Sequence, residues 1–214
     1  MVMENIQEFI NNIEQHNINN VHPPTDPKLR HEWECKQLYS VIECLTPDCS
    51  VLDYGCGAIG TLQYTLFNYC KDANYYGLDV PDRLINPPQE NVYLGSITEL
   101  NEILPKVDCM VMGSIFTHLD WEGVTNVLDQ TLPYYERGFQ VGFTAFLGNK
   151  YELYGSDHYG PNTYHISIIP KEKYQEYCDK NNLTLIVHDY IQNSNHTLPP
   201  QQIKYQSFIT IKKK

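Results

Sequence analysis

The hydrophobic and polar positions change period along the chain. Residues 3–18 place Ile6, Phe9, Ile10 and Ile13 at helical spacing against an Asn-rich polar face, which predicts an amphipathic helix. The breaker cluster His22-Pro23-Pro24-Thr25-Asp26-Pro27 follows it. A second helix is predicted from about Lys28 to Leu45, with Trp33, Leu38, Val41, Ile42 and Leu45 facing inward and Pro47-Asp48 ending it. Beyond this point short apolar runs alternate with helical segments. Strands are predicted over Ser50–Tyr54, Asn74–Leu78 (running out at Asp79), Asn91–Leu94, Val107–Met112 and Gly138–Phe146. Helices are predicted over Ile59–Cys70, Thr98–Leu104, His118–Tyr135 and Pro170–Asn181. Asp120 and Glu122 fall in the first turn of the third, where the helix dipole favours acidic groups. Leu183–Tyr190 and Ile203–Lys212 are two closing strands with only a polar stretch between them.

Alternating strands and helices imply an α/β fold, a mainly parallel sheet with helices on both faces. The last two strands lack an intervening helix and are expected to pair antiparallel at one edge. The domain organisation expected is an N-terminal helical cap over 1–47 and a single α/β domain over 48–214. Residues 148–165, GNKYELYGSDHYGPNTYH, have no period and read as a long loop over the site.

Charge narrows the partners. Fifteen basic against 26 acidic residues leave a net charge of −11, which repels phosphates over most of the surface and argues against nucleic acid. No apolar run approaches the roughly 18 residues needed to span a bilayer, so no membrane partner is expected. The first residues, MVMENIQEFINN, lack the basic and apolar regions of a secretory leader. Seven cysteines, an odd number with no C-x-x-C pair, read as reduced thiols of a cytoplasmic protein.

The chemistry is carried by Val51-Leu52-Asp53-Tyr54-Gly55-Cys56-Gly57-Ala58-Ile59-Gly60, a buried strand running into a glycine turn and then a helix. Ligands of open α/β sheets sit beyond the carboxyl ends of the strands. Glycines let the backbone turn tightly and approach a ligand. Asp79 ends the second strand, 26 residues after Asp53, where an acidic side chain can accept from both hydroxyls of a ribose. Asp53 stands just before the glycines. It sits badly with a pyrophosphate and suits a cationic ligand, so a nicotinamide-dependent oxidoreductase is the weaker reading.

This pattern, VLDYGCGAIG followed by YYGLDV, resembles the class I S-adenosylmethionine-dependent methyltransferases. The resemblance covers roughly residues 48–212 in topology and is sharpest over about 50–80 and 107–119. It implies a three-layer sandwich around a seven-stranded sheet with the last strand antiparallel. It implies S-adenosylmethionine as cofactor and S-adenosylhomocysteine as product. Asp53, Gly55, Cys56 and Gly57 would line the methionine part, Cys56 through its backbone. Asp79 would hold the ribose and Val80 would flank the adenine. Where the family often has Gly-Asp this chain has Gly95-Ser96, so Ser96 and the backbone around Ile97 take that place. Gly113, Ser114, Ile115 and Phe116 would face the reacting methyl, Gly113 and Ser114 on the cofactor side and Phe116 on the acceptor side. The segment Ser114-Ile115-Phe116-Thr117-His118-Leu119 looks like the S-V-F-T-H-L of a bacterial subgroup associated with glycan and natural-product modification.

Acceptor chemistry is expected from His118 and from the Tyr-rich loop. A histidine can take a proton from a hydroxyl near neutral pH; His118 is the first choice as base, then His165 and His158. Tyr151, Tyr154, Tyr159 and Tyr164 (four of the seventeen tyrosines) and Asp157 would contact the acceptor. No metal site is expected, because the spacing of His118, Asp157, His158 and His165 follows no ligand pattern. The acceptor expected is a hydroxyl of a small polar metabolite. An amine, a protein or peptide acceptor, and a non-catalytic cofactor-binding protein are the alternatives. Oligomeric state is not legible.

Overall fold

The computed structural model describes residues 38, 42, 45–57, 63, 66, 67, 70, 72–80, 91–155, 165–193 and 205–214. The predicted first helix, most of the second, most of the helix predicted over Ile59–Cys70 and the interior of the 148–165 segment lie outside these residues. The strands are β1 (Ser50–Tyr54), β2 (Asn74–Asp79), β3 (Val92–Leu94), β4 (Cys109–Met112), β5 (Gln140–Gly148), β6 (Glu152–Gly155), β7 (His165–Pro170), β8 (Leu183–Asn193) and β9 (Tyr205–Lys213). Among the described residues the complete α-helices are α1 (Ile97–Ile103), α2 (Trp121–Thr131) and α3 (Lys171–Lys180).

β3, β2, β1, β4 and β5 lie side by side in that order, all parallel. β9 is inserted antiparallel beside β5, and β8 pairs antiparallel with β9 at the far edge. These seven are the strands predicted from the sequence, with the last one antiparallel. Residues along each strand alternate between two cores. Leu52 and Met110 face the core that also holds Leu100 and Ile103 of α1, Val124 and Leu128 of α2, and Tyr174 and Cys178 of α3. Val51, Cys109 and Val111 face the other, with Leu38, Ile42 and Leu66. Burial on both faces explains why the central strands read as continuous apolar runs.

Two expectations need correction. Residues 148–165 are not simply a loop. Glu152–Gly155 pairs antiparallel with His165–Pro170, which in turn runs parallel to the last three residues of β5 and brings the sheet to nine strands. The free edge of β5 is therefore shared, with β9 along Val141–Ala145 and β7 along Phe146–Gly148. The second correction is at His118, which precedes the helix predicted to begin there. α2 starts at Trp121 because Asp120 caps it, its carboxylate accepting from the Gly123 N–H at 2.7 Å.

Candidate cofactor site

The site is built from the ends of β1 and β2. Gly55 and Gly57 take φ of 84° and 62°, which glycine adopts without a Cβ penalty. The Gly55 N–H donates to the Leu78 carbonyl at 2.6 Å, tying the turn to β2. The Gly57 N–H donates to Asp79 Oδ2 at 2.5 Å, and the Val80 N–H to Asp79 Oδ1 at 2.7 Å. Each carboxylate oxygen keeps a further lone pair for a ligand. Gly95 brings the end of β3 against the same spot: a Cβ there would stand 2.8 Å from the Asp79 carbonyl.

Asp53 is fully buried. Its Oδ2 accepts from the Tyr75 hydroxyl at 2.7 Å, and its Oδ1 is a buried oxygen without a partner. Burial pushes its pKa up to about 7; the Tyr75 hydrogen bond opposes this and the Asp79 charge adds to it. A carboxylate in this position is stabilised by an incoming cation. Cys56, between the glycines, is held as a thiol with its pKa pushed up to about 12, by burial first and then by the Asp53 and Asp79 charges.

β4 leaves the sheet through Gly113 and Ser114. Ser114 has φ of 61°, a conformation that costs a non-glycine residue of order 1–3 kcal/mol. The chain reverses there, so that a Cβ at Gly55 would lie 2.0 Å from Ile115 Cδ1. His118 follows, half-buried, its N–H donating to the Ile115 carbonyl at 2.9 Å. The β6–β7 hairpin is fastened to this segment. The Ser167 N–H donates to the Thr117 carbonyl at 2.8 Å and the Trp121 N–H to the Tyr151 hydroxyl at 3.2 Å.

No protein-family model and no curated protein matches the chain by sequence. Solved structures do match. Magnesium protoporphyrin IX methyltransferase from Synechocystis PCC 6803, with bound S-adenosylmethionine, is 12% identical with a TM-score of 0.55, covering 98% of this chain and 95% of that one. The 1,6-didemethyltoxoflavin-N1-methyltransferase of Burkholderia thailandensis, with its substrate and S-adenosylhomocysteine, is 12% identical at a TM-score of 0.59, covering 100% and 90%. A glycopeptide N-methyltransferase complexed with S-adenosylmethionine is 8% identical at 0.54, covering 86% and 94%. The chain has the class I S-adenosylmethionine-dependent methyltransferase fold.

This methyltransferase fold gathers Asp53, Gly55, Cys56, Gly57, Asp79 and Val80 at the carboxyl ends of β1 and β2, with Ser96 and Ile97 beside them after β3. Val80 and Ile97 are apolar yet 47% and 43% exposed, uncovered hydrophobic surface at the sheet edge. Ser96 is exposed and its side chain does not cap α1. Gly113 and Ser114 stand at the end of β4, next to the glycine turn. Phe116, expected at the acceptor, is instead fully buried and packs on Phe143 with ring centroids 4.8 Å apart; its place is the core beneath the segment. Tyr151 lies at the start of the hairpin with its ring against the Lys173 ammonium. Tyr154 and His165 are backbone members of β6 and β7, paired with Ile166 and Gly155. Asp157, His158, Tyr159 and Tyr164 lie outside the described residues. Among the described residues no three or more His, Cys, Asp or Glu are grouped to hold a metal ion, and no helix is long and apolar enough to cross a membrane.

Three residues of the site escaped sequence reasoning: Tyr75, Thr144 and Gln206. Thr144 carried a usable signal, a polar residue inside the apolar run VGFTAF, whereas Gln206 stands in the mixed strand YQSFITIKK and carried none.

Proposed function

We propose that the protein transfers a methyl group from S-adenosylmethionine to a hydroxyl of a small polar metabolite, a saccharide or a glycan or natural-product precursor. The observation that carries the cofactor reading is Asp53: a buried carboxylate with one unpartnered oxygen, directly before a glycine turn. It opposes a pyrophosphate and matches the ammonium of an amino-acid moiety. The three solved methyltransferases support the same cofactor, since each was solved with S-adenosylmethionine or S-adenosylhomocysteine.

S-adenosylmethionine supplies a methyl group on a positively charged sulfur, and S-adenosylhomocysteine is what remains. The chain's part is to hold and align. Asp53 takes the ammonium, the Gly55–Gly57 backbone lies along the methionine part, and Asp79 accepts from the ribose hydroxyls with its remaining lone pairs. Val80 and Ile97 cover the adenine, beside Ser96. The 113–115 backbone borders the reacting side. Alignment of this kind supplies about 7–11 kcal/mol of a barrier. His118 accepts the proton of the acceptor hydroxyl, a contribution of about 100- to 10,000-fold, with His165 and His158 next in order. Tyr151, Tyr154, Tyr159, Tyr164 and Asp157 of the 148–165 segment bind the acceptor. The net charge of −11 disfavours nucleic acid as acceptor.

An amine acceptor is the second reading, favoured by the two N-methyltransferases among the similar structures. The two separate with S-adenosylmethionine carrying a labelled methyl, offered with sugars and with amines. Label in an ether of the sugar, slowed in His118→Ala at near-normal cofactor affinity, supports the first. Label only in the amines, with His118→Ala fully active, replaces it by the second.

A further inference from the structure

Ser114 is the point where the strained turn after β4 begins, and all its polar groups are bound by side chains. Its N–H donates to Thr144 Oγ1 of β5 at 2.8 Å. Its hydroxyl meets the Gln206 amide of β9, 3.1 Å from both Oε1 and Nε2. Its carbonyl accepts from Thr117 Oγ1 at 2.7 Å. Thr144, Gln206 and Thr117 are all buried. Buried hydroxyls and amides are costly unless they are paired, so Thr144 and Gln206 are buried at an expense that their bonds to Ser114 offset.

The consequence reaches the cofactor site. A positive φ in a residue other than glycine persists only where its surroundings over-determine it. Here three side chains from three places in the chain do so. The reversal they hold sends Ile115 back over Gly55, whose own φ is 84° and where no Cβ would fit beneath Ile115. Two sharp turns, after β1 and after β4, therefore meet at the Ile115 side chain.

We propose that Thr144 and Gln206 are positioning residues of the cofactor site: by holding Ser114 in its left-handed turn they set Ile115 and the 113–115 backbone against the glycine turn. The proposal rests on the reading that this turn binds S-adenosylmethionine. Neither residue touches the cofactor in this scheme. Both act through Ser114, and Ser114 acts through its backbone.

The test uses the full chain, S-adenosylhomocysteine as probe, calorimetry for affinity, and hydrogen exchange of the Ser114 amide in the free protein. Thr144→Val keeps the shape and removes the hydroxyl. It is expected to bind the probe about tenfold more weakly and to exchange the Ser114 amide faster. Thr144→Ser restores both. Ser114→Gly in the Thr144→Val background restores affinity but not protection, because glycine takes the turn unaided. A role in stability alone would lower the melting temperature and leave affinity unmoved. If Thr144→Val does not fold, Gln206→Leu carries the same test, with Ser114→Gly again as its rescue. Normal affinity in both variants, with a fast Ser114 amide, overturns the proposal. A folded wild-type chain that does not bind the probe overturns the cofactor reading and the proposal with it.

Discussion

Lowering the pH from 8 to 6 should remove most of the cofactor affinity through one group, Asp53. Its carboxyl titrates near 7 in the free protein because burial disfavours the charge, and only the Tyr75 hydroxyl works against that. A ligand ammonium binds the carboxylate and not the acid. The apparent dissociation constant then rises by a factor of 1 + 10^(7 − pH), about 1.1 at pH 8 and about 11 at pH 6, a tenfold loss or roughly 1.4 kcal/mol. The assay is calorimetry of S-adenosylhomocysteine across that range in wild-type and in Asp53→Asn. The variant should bind weakly at every pH, without a slope. Stability runs the other way. The unfolded carboxyl loses its proton near pH 4 while the folded one keeps it to about 7. Asp53 therefore makes the free fold progressively less stable as pH rises between about 4 and 7, and Asp53→Asn relieves this at pH 8. Equal wild-type affinity at pH 6 and pH 8, or the same slope in Asp53→Asn, would refute this account of Asp53.

Other substitutions probe the rest of the site and its support. Asp79→Ala removes the ribose acceptor and the partner of the Gly57 N–H, and should weaken cofactor binding by about 2–3 kcal/mol in the same calorimetry. Gly55→Ala meets both a positive φ and the Ile115 side chain, so cofactor affinity should be lost; adding Ile115→Ala should recover only part of it, because the backbone strain stays. Tyr174→Phe removes a buried hydroxyl that has no hydrogen-bond partner while keeping the ring packed on Trp121 and Phe143, so it should leave the melting temperature unchanged or raise it by about 2–4 °C.

The parts of this fold that a linear reading reached are those set by local pattern. The β1 and β2 boundaries and the glycine turn follow from short apolar runs with glycines and an aspartate at fixed places. The antiparallel final pair follows from the missing helix. What stayed hidden depends on register and on distant partners. Tyr75 and Tyr76 are adjacent on β2, and only the pairing of Asp53 with Gly77 decides that Tyr75 reaches the carboxylate. β6 escaped because it lies inside a segment whose tyrosines and glycines read as loop, and β7 because it starts at the end of that segment and meets β5 over just three pairs, Phe146 to Gly148. Asp120 read as a first-turn acid of a helix beginning at His118, whereas its side chain caps α2, which starts at Trp121. At Gly113-Ser114 the glycine is the expected site of a left-handed turn; the serine takes it, because Thr144 and Gln206 are there to hold it.

Calorimetry of the purified chain at pH 8 with S-adenosylmethionine, S-adenosylhomocysteine and NAD in turn tests the cofactor assignment most directly. The account predicts saturable binding of both sulfur compounds at one competing site and none of NAD. Binding of NAD with no response to either sulfur compound would contradict it.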